Sequence, residues 1–228
     1  YLCNILARQK PVFVAFGNHD EPPTSLVHKA IQNSGMHSFS FNYGNAHFTC
    51  IDYSACAKGT LPSDGSIDSL PLAWIQQDLS SDDAQNATWR FLFIHVPPYC
   101  ERWFGGSSLM QTYLVPLLNQ YKVQVCFSGH THEYERGMLN GTFYVVNGCM
   151  NYLDIAESIA MDWSFMTVGG AQNIPGLPDG GGLIHGWTEV EIDGTELNLK
   201  MHGYNLNGTY YGVIDTVKVY QADFNGDK

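Results

Sequence analysis

Three apolar runs in this chain, residues 11–16, 89–94 and 123–128, each end at side chains of metal-ligand type. The first leads into Gly17-Asn18-His19-Asp20 and the second into His95-Val96-Pro97-Pro98-Tyr99. The third leads into Gly129-His130-Thr131-His132-Glu133-Tyr134-Glu135-Arg136. Runs of about six such residues read as buried strands. Open α/β sheets bind ligands along the edge where their strands end. The pattern therefore predicts that Asn18, His95, His130 and His132 converge on one edge of one sheet.

The residue types suit metal chemistry. Two imidazoles at i and i+2 after a strand reach two adjacent metals, one each. An Asn amide oxygen is a hard neutral ligand that suits Fe, Mn or Zn beside carboxylates. Pro97 and Pro98 stop the strand and hold the imidazole of His95 in place. Each segment alone has a plainer reading: an Asx turn at Asn18, a satisfied strand-end histidine at His95, a surface His-X-His at His130. Their occurrence in this order in one chain favours the metal reading.

The rest of the chain supports a folded α/β domain. Its 228 residues suffice for one sizeable core, with 44% hydrophobic and only 14% charged residues. The formal charge of −11 argues against broad binding to nucleic acid or an anionic membrane. It leaves phosphate esters open as substrates, because bound metals reverse the local sign. No apolar run approaches membrane-spanning length. Helices are expected over residues 1–10, 25–34, 71–79 (Leu72, Ile75 and Leu79 inward) and 107–121 (Leu109, Tyr113 and Leu117 inward). A hairpin is expected over residues 38–53 around Gly44-Asn45. Strands over residues 142–147, 186–192, 196–202 and 212–220 make the last third β-rich, and residues 150–185 read as a long irregular segment. Among the cysteines, Cys126 and Cys3 read as packed thiols, while Cys50 and Cys56 are close enough for a short bridge.

Together the motifs resemble the calcineurin-like metallophosphoesterase superfamily, and within it the purple acid phosphatase-like branch. Residues 41–48 and 72–75 resemble its connecting segments, so the likeness spans residues 1–222. The resemblance implies an α/β fold: a two-sheet β-sandwich flanked by helices. It implies a phosphoester hydrolase, a phosphomonoesterase of acid phosphatase type. Two metal ions would be its cofactors, iron with zinc, manganese or iron, and a hydroxide on the pair would attack phosphorus in line. Asn18, His95 and His130 would bind one metal and His132 the second. His19 would be catalytic, facing the substrate to stabilise the transition state or protonate the leaving group. Tyr134 and Arg136 would support the ligands from behind or serve as packing residues, and Asp20 would fix its loop. The partner would be a small phosphate ester, with neither nucleic acid nor membrane, in a secreted or periplasmic protein.

Two departures qualify the resemblance. The family's first two motifs, carrying an Asp and a bridging Asp, precede the Gly-Asn-His segment and have no match here. The expectation is therefore half a site, lacking the first strands and completed by an N-terminal segment. Plant-type members carry a His pair after the strand-end histidine, where this chain has Glu101-Arg102. Arg102 is a candidate for a phosphate oxygen, with a surface salt bridge as the alternative. Residues 223–228 read as a linker or the start of a dockerin-like calcium loop, with Asp223, Asn225 and Asp227 at alternate positions. Two other functions stay open: a phosphodiesterase or nucleotidase on the same site, and a secreted binding component whose site is vestigial.

Overall fold

Apolar side chains fill both faces of the central strands, and this fixes the layers. In β3 (Trp89–Phe93), Trp89 and Phe91 face one side and Leu92 the other, all buried. Strands β4 (Val125–Ser128) and β6 (Thr142–Asn147) repeat the pattern: Val125, Phe143 and Val145 join Phe91, while Cys126 and Tyr144 join Leu92. Strands buried on both faces need a layer on each side. The computed structural model, which describes residues 9–17, 38–52, 70–102, 105–150, 153, 163–169, 184–205 and 207–224, shows both layers.

The main sheet has seven strands in the order β1-β2-β3-β4-β6-β5-β7. It comprises β1 (Phe39–Tyr43), β2 (Ala46–Cys50), β3, β4, β5 (Tyr134–Leu139), β6 and β7 (Met166–Val168). Neighbours β2, β3, β4 and β6 are parallel, so their carboxyl ends share one edge. On one face lie α1 (Leu72–Leu79), α2 (Asp82–Gln85) and α3 (Val115–Gln120) with a preceding π-helical turn (Met110–Leu114). Ile75, Leu79, Met110, Leu114 and Leu118 seal that side. On the other face lies an antiparallel sheet of β8 (His185–Asp193), β9 (Glu196–Tyr204) and β10 (Tyr210–Tyr220), in the order β10-β9-β8. Leu197, Leu199, Met201 and Val219 of this sheet pack onto Trp89, Phe91, Val125 and Phe143. The α/β two-sheet sandwich with flanking helices is therefore present.

Several local expectations are corrected. Among the described residues, 11–16 join no ladder; Phe13 instead stacks on Phe41 at 4.2 Å, and Phe16 is buried. Apolar composition demands burial and does not by itself supply a pairing partner. The helix ending at Gln120 buries Met110, Leu114 and Leu118, whereas Tyr113 of the predicted stripe is 45% exposed. Leu109 and Leu117 of that stripe do pack, partly buried, against the same core. Cys50 is a free, buried thiol, not half of a bridge. Strands β5 and β7 and helix α2 have no counterpart in the sequence reading. Phe224, in the expected calcium tail, packs edge-on to Trp89 at 5.9 Å. Residues 225–228, the expected helix at 25–34, Cys3 and Cys56 lie outside the described residues.

Candidate metal centre

The parallel ladder brings two of the predicted motifs together. His95 follows β3 and His130 follows β4, and the Gly129 N–H donates to the His95 carbonyl at 3.0 Å. His130 Nδ1 lies 3.0 Å from His95 Nε2, with the rings nearly perpendicular at 86°. His130 reaches this position with φ of 67°. For a residue other than glycine this left-handed conformation costs about 1–2 kcal/mol. Among the described residues the other two of this kind, Lys122 and Asn140, sit in ordinary turns after a helix and in a hairpin. At His130 the strained backbone aims an imidazole at a second imidazole.

The surrounding backbone is shaped to permit this. A Cβ added to Gly17 would lie 2.4 Å from the His95 ring. One added to Gly148, just after β6, would lie 1.9 Å from the Thr131 carbonyl oxygen. The Gly148 N–H donates to the Glu133 carbonyl at 3.2 Å, so β6 holds the loop that carries His130 and His132. Behind His95, the Gln111 amide donates to the Pro98 carbonyl at 2.9 Å and the Gly105 carbonyl at 2.8 Å, fixing the Pro-Pro loop. Beside the histidines a recess of about 340 Å³ is lined by Ala15, His95, Gly129, Asn147 and Thr188. The Asn147 amide donates to Thr188 Oγ1 at 3.0 Å, and its oxygen accepts from Cys149 Sγ at 3.1 Å. Asn147 was missed in the sequence. The signal was there: Val145-Val146-Asn147-Gly148 is another apolar run ending in a ligand-type residue before glycine.

Two of the expected donors stand at a spacing that a metal would accept. Two imidazole nitrogens bound at about 2.0–2.1 Å and subtending about 90° stand about 3.0 Å apart, the spacing seen between His95 and His130. Asn18, His19 and Asp20 lie outside the described residues. Among the described residues no group of three or more His, Cys, Asp or Glu side chains encloses a single metal position. His132 follows two residues after His130 in the same loop.

A family model of calcineurin-like phosphoesterases matches residues 1–134, more than half of the chain. The chain belongs to the calcineurin-like phosphoesterase family. Curated relatives place it in the purple acid phosphatase-like branch. Purple acid phosphatase 23 of Arabidopsis thaliana is 29% identical over 151 residues, covering 58% of this chain and 30% of that protein. The purple acid phosphatase of Glycine max is 27% identical over 159 residues, covering 67% of this chain and 31% of that protein. The Fe(3+)-Zn(2+) purple acid phosphatase 12 of Arabidopsis thaliana is 29% identical over 110 residues, covering 46% and 22%. The chain thus spans about a third or less of the length of these relatives. Among solved structures, GAP50, the anchor in the inner membrane complex of Plasmodium, shares the fold with a TM-score of 0.57. It is 19% identical, with 82% of this chain and 55% of that chain covered.

In this calcineurin-like domain the residues after His132 are structural anchors. Tyr134 and Arg136 on β5 point toward the second sheet, where both bond to Asp215 of β10. Glu135 points the other way and is fully buried. The Glu101 N–H donates to both of its oxygens at 3.1 Å, and Trp163 Nε1 donates to one at 2.8 Å. Trp163 can lie there because residue 137 is glycine; a Cβ would meet its ring at 2.3 Å. Glu101 itself is fully buried, and its backbone N–H braces β5. Arg102, beside it, is half-buried.

Burial pushes the Glu135 carboxyl well above the usual carboxylate range, and the neighbouring Glu133 adds to this; the bonds from Trp163 and Glu101 offset it only in part. The sign follows from linkage: a raised acid stabilises the fold fully below its ordinary value of about 4.3, and that stabilisation is lost as pH rises through the raised value. Glu135→Gln keeps an oxygen for Trp163 and removes the titration. We expect the variant to gain at least about 1 kcal/mol relative to wild type between pH 5 and pH 9, measured by urea unfolding at both pH values. Parallel stability profiles for the two proteins would contradict this.

Proposed function

We propose that this domain hydrolyses phosphate monoesters, in the manner of an acid phosphatase, with a pair of metal ions. The observation that carries the reading is the pairing of His95 and His130 at the shared strand edge, with His130 held at φ of 67°. Family membership and the purple acid phosphatase relatives support it. His95 and His130 would hold one metal with Asn18, and His132 would hold the second. Iron with zinc, manganese or a second iron is the pair to test. When bound, such a pair polarises the phosphoryl group and clamps its oxygens. His19 then hydrogen-bonds the substrate and delivers the proton to the leaving oxygen, and Arg102 takes a phosphoryl oxygen. The carboxylates that a closely spaced metal pair requires come from residues outside the described set, within this chain or beyond it.

The test is hydrolysis of p-nitrophenyl phosphate and of its bis-ester by metal-loaded protein, with and without chelator. Cleavage of the monoester, abolished by chelation, is the expected result. Preference for the bis-ester would make the domain a phosphodiesterase. Turnover by this chain alone would place the missing carboxylates within it; turnover only with added sequence would place them beyond it. Inactivity toward every ester with two metals bound would overturn the proposal.

A further inference from the structure

Three Asn-X-Thr triplets occur in the chain, headed by Asn86, Asn140 and Asn207. This is the acceptor sequence for N-linked sugar, which is carried on surface loops. The fold separates the three. We infer that Asn207 is a site of N-linked glycosylation and that the first sugar of the attached chain sits in a neighbouring aromatic recess on the outer face of the second sheet. Nothing in this depends on the phosphoesterase reading.

Accessibility is the first argument. Asn140 is exposed, but Thr142 is buried and its hydroxyl donates to the Val123 carbonyl at 2.8 Å. Asn86 caps the C-terminal end of α2, and Thr88 is half-buried where its N–H donates to the Asn45 carbonyl at 2.8 Å. Asn207, Gly208 and Thr209 are all exposed, in the turn between β9 and β10. Among the described residues only this triplet joins its two functional side chains: Thr209 Oγ1 donates to Asn207 Oδ1 at 2.7 Å. The Thr209 N–H donates to the same oxygen at 3.1 Å. The amide is thus held by its oxygen, and its Nδ2 makes no hydrogen bond among the described residues. That nitrogen is the atom to which the sugar is joined.

The recess is the second argument. It measures about 460 Å³ and is walled by Met150, His185, Trp187, Tyr204, Asn205 and Gly208, so it opens beside the middle residue of the triplet. Side chains alternate along β9: Leu197, Leu199 and Met201 pack against the main sheet, so His202 and Tyr204 face outward with their register partners Trp187 and His185. Trp187 is 41% exposed. One face of its indole is covered by the His202 ring, parallel within 4° at 4.2 Å. His202 in turn is held by Glu189 Oε2 at 3.1 Å and the Tyr210 hydroxyl at 2.6 Å. The indole N–H donates to the Tyr204 hydroxyl at 3.4 Å. An aromatic surface fixed in this way binds without a further ordering cost.

The chemistry of the walls suits a sugar. A pyranose ring presents C–H bonds on its face and polar groups at its rim. The indole and the phenol take the face. His185 Nδ1 lies 3.0 Å from the Cys149 carbonyl oxygen, which only accepts, so in the neutral ring Nε2 is left as an acceptor. Asn205 Oδ1 is taken by the N–H groups of Asn207 and Thr209, which leaves its Nδ2 as a donor. One acceptor and one donor match the hydroxyl and acetamide groups of an N-acetylhexosamine. Attachment at Asn207 raises the local concentration, so a seat too weak for a free sugar is filled by a tethered one.

The reaction is a substitution. Asn207 Nδ2 bonds to C1 of the first sugar of a lipid-pyrophosphate-linked oligosaccharide, and the C1–O bond to the pyrophosphate breaks. The pyrophosphate leaves with that electron pair, and one Nδ2 proton passes to a base of the transferase. Nothing is oxidised or reduced. The step takes place in a chain that enters a secretory pathway.

The test is expression of the full chain behind a secretion signal in yeast, with peptide mass spectrometry before and after N-glycanase, which turns a glycosylated Asn into Asp. Asn207 is expected to carry sugar, and Asn207→Gln and Thr209→Ala to lose it. Folded, secreted protein with Asn207 unmodified would overturn the inference. Endoglycosidase trimming to the first sugar then lets the seat be read by NMR. The ring protons of that sugar should be shifted upfield by the indole in wild type and return toward free-sugar values in Trp187→Ala, with Trp187→Phe keeping part of the shift. The single sugar should also raise Tm by about 2–4 °C in wild type and leave it unchanged in Trp187→Ala. Sugar at Asn207 whose ring protons are the same in wild type and Trp187→Ala would overturn the inference as well.

Discussion

Replacing Asp215 with alanine is expected to cost the fold about 3–5 kcal/mol, more than any other single side-chain truncation discussed above. Arg136 donates to Asp215 through Nε at 2.7 Å and Nη2 at 3.0 Å, a two-point contact, and the Tyr134 hydroxyl donates at 2.7 Å. Arg136 and Tyr134 are nearly inaccessible, so removing the carboxylate strands a buried guanidinium and a buried hydroxyl. The bonds also tie the strand after the histidine loop to the second sheet. Burial alone would raise the Asp215 carboxyl, but Arg136 and Tyr134 outweigh it and hold the group below the usual aspartate range. Its contribution is therefore present above pH 4 and is lost as pH falls through the lowered value. Asp215→Asn keeps an acceptor but loses the charge, and should fall between alanine and wild type. Urea unfolding at pH 7 checks the size, and a loss under about 1 kcal/mol for Asp215→Ala would mean that the pair contributes little net.

Those same contacts show where the sequence stops being legible. Strands β3 and β4 were readable because both faces are apolar, and their ends were readable because ligand-type residues follow them directly. Strand β5 was not readable. Arg136 reads as a supporting or packing residue, but its partner Asp215 lies 79 residues on, and Trp163, the partner of Glu135, is likewise distant in sequence. Local pattern carries no information about partners that distant. The convergence of His95 and His130 followed from motif order, because strand-end residues of a parallel sheet share an edge. The means of convergence did not follow: no pattern announces that His130 takes a left-handed backbone, or that Gly17 and Gly148 are small to admit a ring and a carbonyl. The helix after Ser107 was legible in part: Leu109 and Leu117 pack against the core as read, Met110, Leu114 and Leu118 are buried beside them, and Tyr113 turns out to solvent.

The left-handed backbone at His130 gives the sharpest functional prediction, because stability and function should move in opposite directions. Glycine adopts φ of 67° without the Cβ penalty. His130→Gly is therefore expected to hold or raise stability, by up to about 1 kcal/mol, while removing the ligand proposed above. Disturbing groups that merely orient metal ligands costs about 10–100-fold in metal affinity. Losing the ligand itself should reach at least the upper end of that range, with hydrolysis falling by about the same factor. His130→Ala should lose function equally, yet stay less stable than His130→Gly because alanine keeps the strain. Metal titration, phosphatase assay and urea unfolding on the same preparations separate the terms. A residue strained for packing alone would give the reverse result, with His130→Gly less stable than wild type and its metal affinity unchanged. The opposite pattern, a variant at least as stable as wild type that no longer holds metal, would support the proposed role of His130 as a ligand, because backbone strain persists where the surrounding structure over-determines it.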